Sequence, residues 1–175
     1  VLARLGAATL STDAVVHDLY GDEGVRDAVV ARWGPEVAPG GVVDRAAVAR
    51  RVFADQPERE WLEGLLWPLV GRRVQEFREA AARRDPPPAA AVVEIPLLFE
   101  AEMGELFDAT IAVIAGEEVR RARASARGHH AVDERTARQL TQEEKAARAT
   151  FAVANDGSVE ELQAQLADVL DKLKG

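Results

Sequence analysis

Four short runs of apolar, small or β-branched residues punctuate the chain, at 7–10, 91–95, 109–114 and 151–154. They are near-continuous rather than alternating, which predicts strands buried on both faces, as in a parallel sheet. Helical spacing of apolar positions occupies 14–20, 23–33, 44–54, 57–83, 117–128, 133–148 and 158–173. Strands separated by helices imply an α/β fold with right-handed crossovers and a ligand edge at the carboxyl ends of the strands.

The spacing is uneven. The stretch between the first two apolar runs has helical patterning only, so residues 21–88 are expected to form a helical lobe inserted into the sheet domain. Within it, Trp61, Leu62, Leu65, Leu66, Leu69, Val70 and Val74 share one helical pattern. Pro68 interrupts that pattern and should kink the helix or start a new one. Trp33 and Trp61 are expected to anchor the core of this lobe. Asp85-Pro86-Pro87-Pro88 reads as a stiff return linker, because consecutive prolines cannot continue a helix. After Ser158, an amphipathic helix carrying Val159, Leu162, Leu166, Val169, Leu170 and Leu173 closes the fold.

Composition narrows the function. In 175 residues, 30 Asp and Glu outweigh 22 Lys and Arg, for a net charge of −8. That balance disfavours sequence-independent nucleic-acid binding, which needs basic surface, but leaves room for a local basic site. With no cysteine, disulfides, thiolate metal sites and cysteine nucleophiles are excluded. No apolar run approaches a membrane span and no signal peptide is visible, so a cytoplasmic location without membrane or nucleic-acid partners is expected.

Several residue groups have chemistry to offer. Ser11-Thr12-Asp13 lies where the first strand gives way to a helix; its carboxylate suits a substrate hydroxyl, a proton or a magnesium-bound water, although position alone favours Thr12 or Asp13 as a simple helix cap. Glu94 is an acid inside an apolar strand, costly unless partnered, and Glu100 closes the apolar loop that follows. Arg120, Arg123 and Arg127 share a helix face, with Arg135, Arg138 and Lys145 on the next helical segment. Guanidinium forks suit phosphate oxygens; a solvated face balanced by Glu117, Glu118, Glu143 and Glu144 is the alternative. Asn155-Asp156-Gly157-Ser158 is turn chemistry. His129-His130 lacks metal-site spacing, and His17 reads as packed or exposed rather than catalytic. No glycine begins a phosphate-cradling loop with a Lys-Ser or Lys-Thr pair, and no dinucleotide-binding fingerprint occurs.

In order along the chain, these landmarks resemble the dephospho-coenzyme A kinases, P-loop kinases of the nucleoside-monophosphate-kinase type. Leu5-Gly6-Ala7 with Ser11-Thr12-Asp13 is similar to that family's "LGA…DAD" stretch. Gly41-Val42-Val43-Asp44-Arg45 with Val52-Phe53 resembles "G-x-ldR…vF", and Leu65-Leu66-Trp67-Pro68-Leu69-Val70 resembles "LLHPxI". Ile95 to Glu100 matches "PLLFE"; Gln139-Leu140 with Glu143-Glu144-Lys145 is similar to "Q…EEK", and Asn155 to Ser158 to "NxGS". The resemblance implies a three-layer α/β/α parallel sheet, with a nucleotide-binding core over 1–20, 89–118 and 149–175, an acceptor lobe over 21–88 and a lid over 119–148. It implies transfer of the ATP γ-phosphate to the ribose 3′-hydroxyl of dephospho-CoA, with Mg2+ as cofactor. Asp13 takes the base and metal-organising role, Arg123 and Arg127 stabilise the transferring phosphoryl group, and Asn155 and Gly157 border the adenine. Arg45, Trp67, Leu98 and Phe99 hold dephospho-CoA.

Three departures from the family pattern stand out. Ser11 replaces the first acid of "DAD", and Trp67 stands where the family usually has histidine, which removes a polar contact to the acceptor. The family's first, central strand and its P-loop have no counterpart here, so the four strands are expected to form two pairs with a gap between them, and the chain alone to be poorly stable and inactive. An N-terminal piece of about twenty residues would supply such a unit. The competing reading is a non-catalytic CoA- or nucleotide-binding protein that has lost its P-loop; retention of Asp13, Arg123 and Arg127 favours the enzyme.

Overall fold

The computed structural model describes residues 1–126 and 139–174. Their strands are β1 (Ala8–Ser11), β2 (Ala91–Glu94), β3 (Ile111–Ile114) and β4 (Phe151–Ala154). Their α-helices are α1 (Thr12–Leu19), α2 (Glu23–Trp33), α3 (Arg45–Ala54), α4 (Gln56–Ala82), α5 (Glu117–Ala126), α6 (Gln142–Arg148) and α7 (Val159–Lys174). The described strands form two two-stranded sheets, β1 with β2 and β3 with β4. The second pair is parallel, with Ile111 opposite Phe151 and Ile114 opposite Ala154. The chain divides into two compact units, Thr9–Ile95 and Val1–Ala8 with Pro96–Gly175.

The Thr9–Ile95 unit is built on a helical core. Val15 and Leu19 of α1, Val25, Val29 and Trp33 of α2, Val48 of α3, and Leu62 and Leu66 of α4 are all buried in one cluster. Asp22 and Asp44 start α2 and α3 by accepting from the backbone N–H of Val25 at 3.1 Å and Ala46 at 2.9 Å, the usual satisfaction of orphan helix donors. Trp33 and Trp61 do anchor this lobe: their rings meet edge to face at 5.1 Å, with the Arg32 guanidinium 5.5 Å from the Trp61 ring centre. Glu58 ties the group together, accepting two bonds from Arg32 at 2.9 Å and one from Trp33 Nε1 at 2.6 Å. These bonds, from Arg32 first and Trp33 second, hold the Glu58 carboxyl below its ordinary range.

Pro68 does not end or restart α4, which runs through it. Proline removes one amide donor and crowds the carbonyl four residues earlier. That carbonyl belongs to Gly64, and both residues lie on the exposed side while Leu62 and Leu66 hold the helix to the core. One lost bond on the solvent face is outweighed by the packed face.

The expectation of strands buried on both faces also needs correction. Only Ala8, Ala112 and Val153 of the strand residues are buried; Val113 is 54 % exposed, and Ala91, Ala152 and Ala154 are exposed. The apolar runs therefore reflect β propensity and one-sided packing, here of Val153, Ile111 and Phe151 against Leu162, Leu166 and Val169 of α7 and Leu2 and Leu5. Glu94 is likewise exposed, so it pays no burial cost and needs no partner; its backbone carbonyl accepts from the Thr12 hydroxyl at 3.0 Å.

Candidate functional site

In the Thr9–Ile95 unit, β1 delivers Ser11-Thr12-Asp13 to the start of α1. Ser11 is the N-cap but makes no side-chain cap bond, and the Thr12 hydroxyl is committed to Glu94. Neither Thr12 nor Asp13 caps the helix, so the capping alternative falls. Asp13 sits exposed in the first turn, where the helix dipole favours a negative charge, and its carboxylate has no hydrogen bond or ion pair among the described residues. One turn on, His17 lies on the same helix side.

His17 and Arg45 meet through Nδ1 and Nη1 beside an open cavity of about 630 Å³, lined also by Asp18, Tyr20, Val42 and Asp44. Burial pushes the Tyr20 hydroxyl up, with Arg45 pulling the other way. Arg45 thus faces a cavity large enough for part of a small-molecule ligand. Trp67 lies on α4, 58 % exposed, and is not among the residues lining that cavity.

In the other unit, β3 and β4 end side by side. Arg123 of α5 donates from Nη1 to the Asn155 carbonyl at 2.5 Å, and Gly116 N–H donates to Asp156 Oδ1 at 2.5 Å. The structure therefore joins Arg123 to the turn holding Asn155 and Gly157. A Cβ on Gly157 would collide with the Glu161 carboxylate, which folds back to accept from Ser158 N–H at 2.8 Å while Ser158 Oγ accepts from Glu161 N–H at 3.1 Å, a capping box for α7. Arg127, with Arg135, Arg138 and the His129-His130 pair, lies outside the described residues.

Leu98 and Phe99 are half-buried in the loop after β2 and Leu97 is exposed. What holds this loop was not legible in the motif. Glu100 Oε1 accepts from Lys145 Nζ at 2.9 Å and from Leu140 N–H at 3.0 Å, and Lys145 donates also to the Pro96 carbonyl at 3.1 Å. Burial pushes the Glu100 carboxyl up, but the Lys145 and backbone hydrogen bonds outweigh it and hold it below its ordinary range. No sequence motif marks Gln142, whose amide pairs with both the N–H and the carbonyl of Ala115, at 2.8 and 2.7 Å, where β3 ends.

The sequence comparisons with known proteins agree on one family. A sequence model described as Dephospho-CoA kinase matches residues 1–161. The "Dephospho-CoA kinase" of Protochlamydia amoebophila is 33 % identical over 99 % of this chain and 88 % of its own length. The crystal structure of TT1252 from Thermus thermophilus superposes with a TM-score of 0.78 at 35 % identity, covering 99 % of this chain and 89 % of that one. The dephospho-CoA kinase from Campylobacter jejuni, at 21 % identity and a TM-score of 0.68, covers 98 % of this chain and 87 % of that one and shares the fold.

Proposed function

Because this chain belongs to the dephospho-CoA kinase family, a family of phosphotransferases of coenzyme A synthesis, we propose that Asp13 is the base that prepares the acceptor hydroxyl. The observation that carries this is an exposed carboxylate at the end of β1 with no hydrogen bond or ion pair among the described residues. It accepts the ribose 3′-hydroxyl proton as the 3′-oxygen bonds to the γ-phosphorus of ATP and the bond to the β-phosphate oxygen breaks, releasing ADP. Arg123 and Arg127 take up charge on the transferring group. The Asn155–Gly157 turn offers backbone groups to the adenine edge. Arg45, from its cavity, and Trp67, Leu98 and Phe99 hold dephospho-CoA.

The donor set suits magnesium. Among the described residues no three His, Asp or Glu side chains converge, so a cage built from these alone is absent; magnesium takes one or two carboxylates and completes its shell with water and phosphate oxygens. Asp13 would supply that carboxylate, directly or through water, and the ion, when bound, neutralises phosphate charge.

Asp13→Asn in the full-length gene product is expected to lower kcat about 10²–10⁴-fold, the usual worth of a positioned base, with the KM for ATP changed little. A kcat within about twofold of the parent would remove Asp13 from the chemistry.

A further inference from the structure

Among the described residues of its unit, the Glu100–Lys145 pair is the charged pair that also bonds backbone groups on both sides, and the mechanism above gives it no task. Its two side chains are 14 % and 22 % exposed. Lys145 reaches both ends of one loop, donating to the Pro96 carbonyl and to the Glu100 carboxylate. Between those ends lie Leu97, Leu98 and Phe99. The same Glu100 oxygen accepts from Leu140 N–H, so the loop is tied to the segment that enters α6. The lysine itself is held on a well-formed helix: Thr141 and Glu144 make a capping box at its start, and Gln142 pins that helix to the end of β3. The loop between has no backbone ladder of its own; its local bonds are turn bonds such as Ala101 N–H to Leu97 O at 3.0 Å and Met103 N–H to Leu98 O at 3.0 Å.

We infer that Lys145 and Glu100 are positioning residues for acceptor binding: together they close the Pro96–Glu100 loop so that Leu98 and Phe99 present a fixed apolar surface to dephospho-CoA. The inference rests on the reading that Leu98 and Phe99 contact the acceptor. A loop fixed before the ligand arrives spares the ordering cost that binding would otherwise meet. The second oxygen of Glu100 is buried without a hydrogen-bond partner among the described residues, so the Lys145 ammonium is the one cation they place against this charge. Removing the lysine therefore strands a largely buried carboxylate, and the loop relaxes toward solvent to hydrate it.

The test measures dephospho-CoA affinity by titration calorimetry, and amide hydrogen exchange, in the full-length gene product and three variants. Lys145→Met is expected to weaken dephospho-CoA about tenfold, the consequence of losing one charge-assisted contact. Exchange at residues 97–100 should quicken while the amides of β3 and β4 keep their parent rates. Lys145→Arg, which keeps a charged donor, should recover most of the affinity. Phe99→Ala reports on the underlying reading: if it leaves dephospho-CoA affinity unchanged, the acceptor surface is elsewhere and the inference falls with it. If Phe99→Ala weakens binding but Lys145→Met does not, the positioning role alone is overturned. Faster exchange throughout the unit in Lys145→Met, unrepaired by arginine, would make the pair a general stabiliser and also overturn it.

Discussion

At Glu100 the balance of burial and bonding can be read as a pH dependence. Its carboxyl is held below the ordinary range because the hydrogen bonds from Lys145 and the backbone outweigh burial. A carboxyl whose folded value lies below its unfolded value, about 4.3, contributes stability that is complete above that value and is lost as pH falls through the folded one. Chemical denaturation of the parent and Glu100→Gln is therefore expected to differ by about 1–2 kcal/mol at neutral pH, with the gap closing on acidification below about pH 4. A gap that is constant with pH, or widens in acid, contradicts the pairing. The sequence presents Glu94 and Glu100 alike, as acids at the two ends of an apolar segment, and directs attention to the wrong one. Glu94 lies in a strand that is not buried, whereas Glu100 is fixed by a lysine forty-five positions away. Local pattern carries no information about a partner at that separation. Asp13 is the opposite case: the role proposed for it rests on where β1 ends, which the apolar run already marks.

Among the elements, every described strand and α-helix lies where the hydrophobic pattern predicts it, with described ends within two residues of the expectation except at the start of α6, which opens on the Thr141 capping box. Helix starts are the least legible, because capping is a choice among adjacent polar residues: α1 begins at Thr12 rather than at 14, with Ser11 before it. Burial is less legible than element type. An apolar run forms a strand by β propensity even where one face stays open, as at Val113. The continuity of α4 through Pro68 shows packing overriding a local breaker. Since Pro68 is exposed, Pro68→Ala restores a donor to the Gly64 carbonyl and removes the ring without disturbing the core. It is expected to stabilise the protein by about 1–3 kcal/mol, seen as a higher thermal midpoint. An unchanged or lower midpoint would mean that the helix relies on the proline at this position.

Across the molecule, the sequence model spans both compact units, so the family assignment does not rest on one of them. The landmarks that carried the resemblance fall on both: Asp13, Arg45 and Trp67 on the helical unit, and Leu98, Phe99, Asn155 and Gly157 on the other. No helix among the described residues is long and apolar enough to cross a membrane. The net charge of −8 means that a polyanionic substrate needs local basic groups; Arg45 borders a cavity in one unit, and Arg123 bonds the Asn155 carbonyl in the other. The central claim is phosphoryl transfer to one hydroxyl of one acceptor. The most direct measurement supplies the full-length gene product with ATP and magnesium and follows ADP release with dephospho-CoA or with CoA, whose 3′-hydroxyl is already phosphorylated. The account predicts ADP formed in step with dephospho-CoA consumed, new phosphate on the ribose 3′-oxygen, and no release with CoA. ADP release that ignores the acceptor, or none with dephospho-CoA, would contradict it.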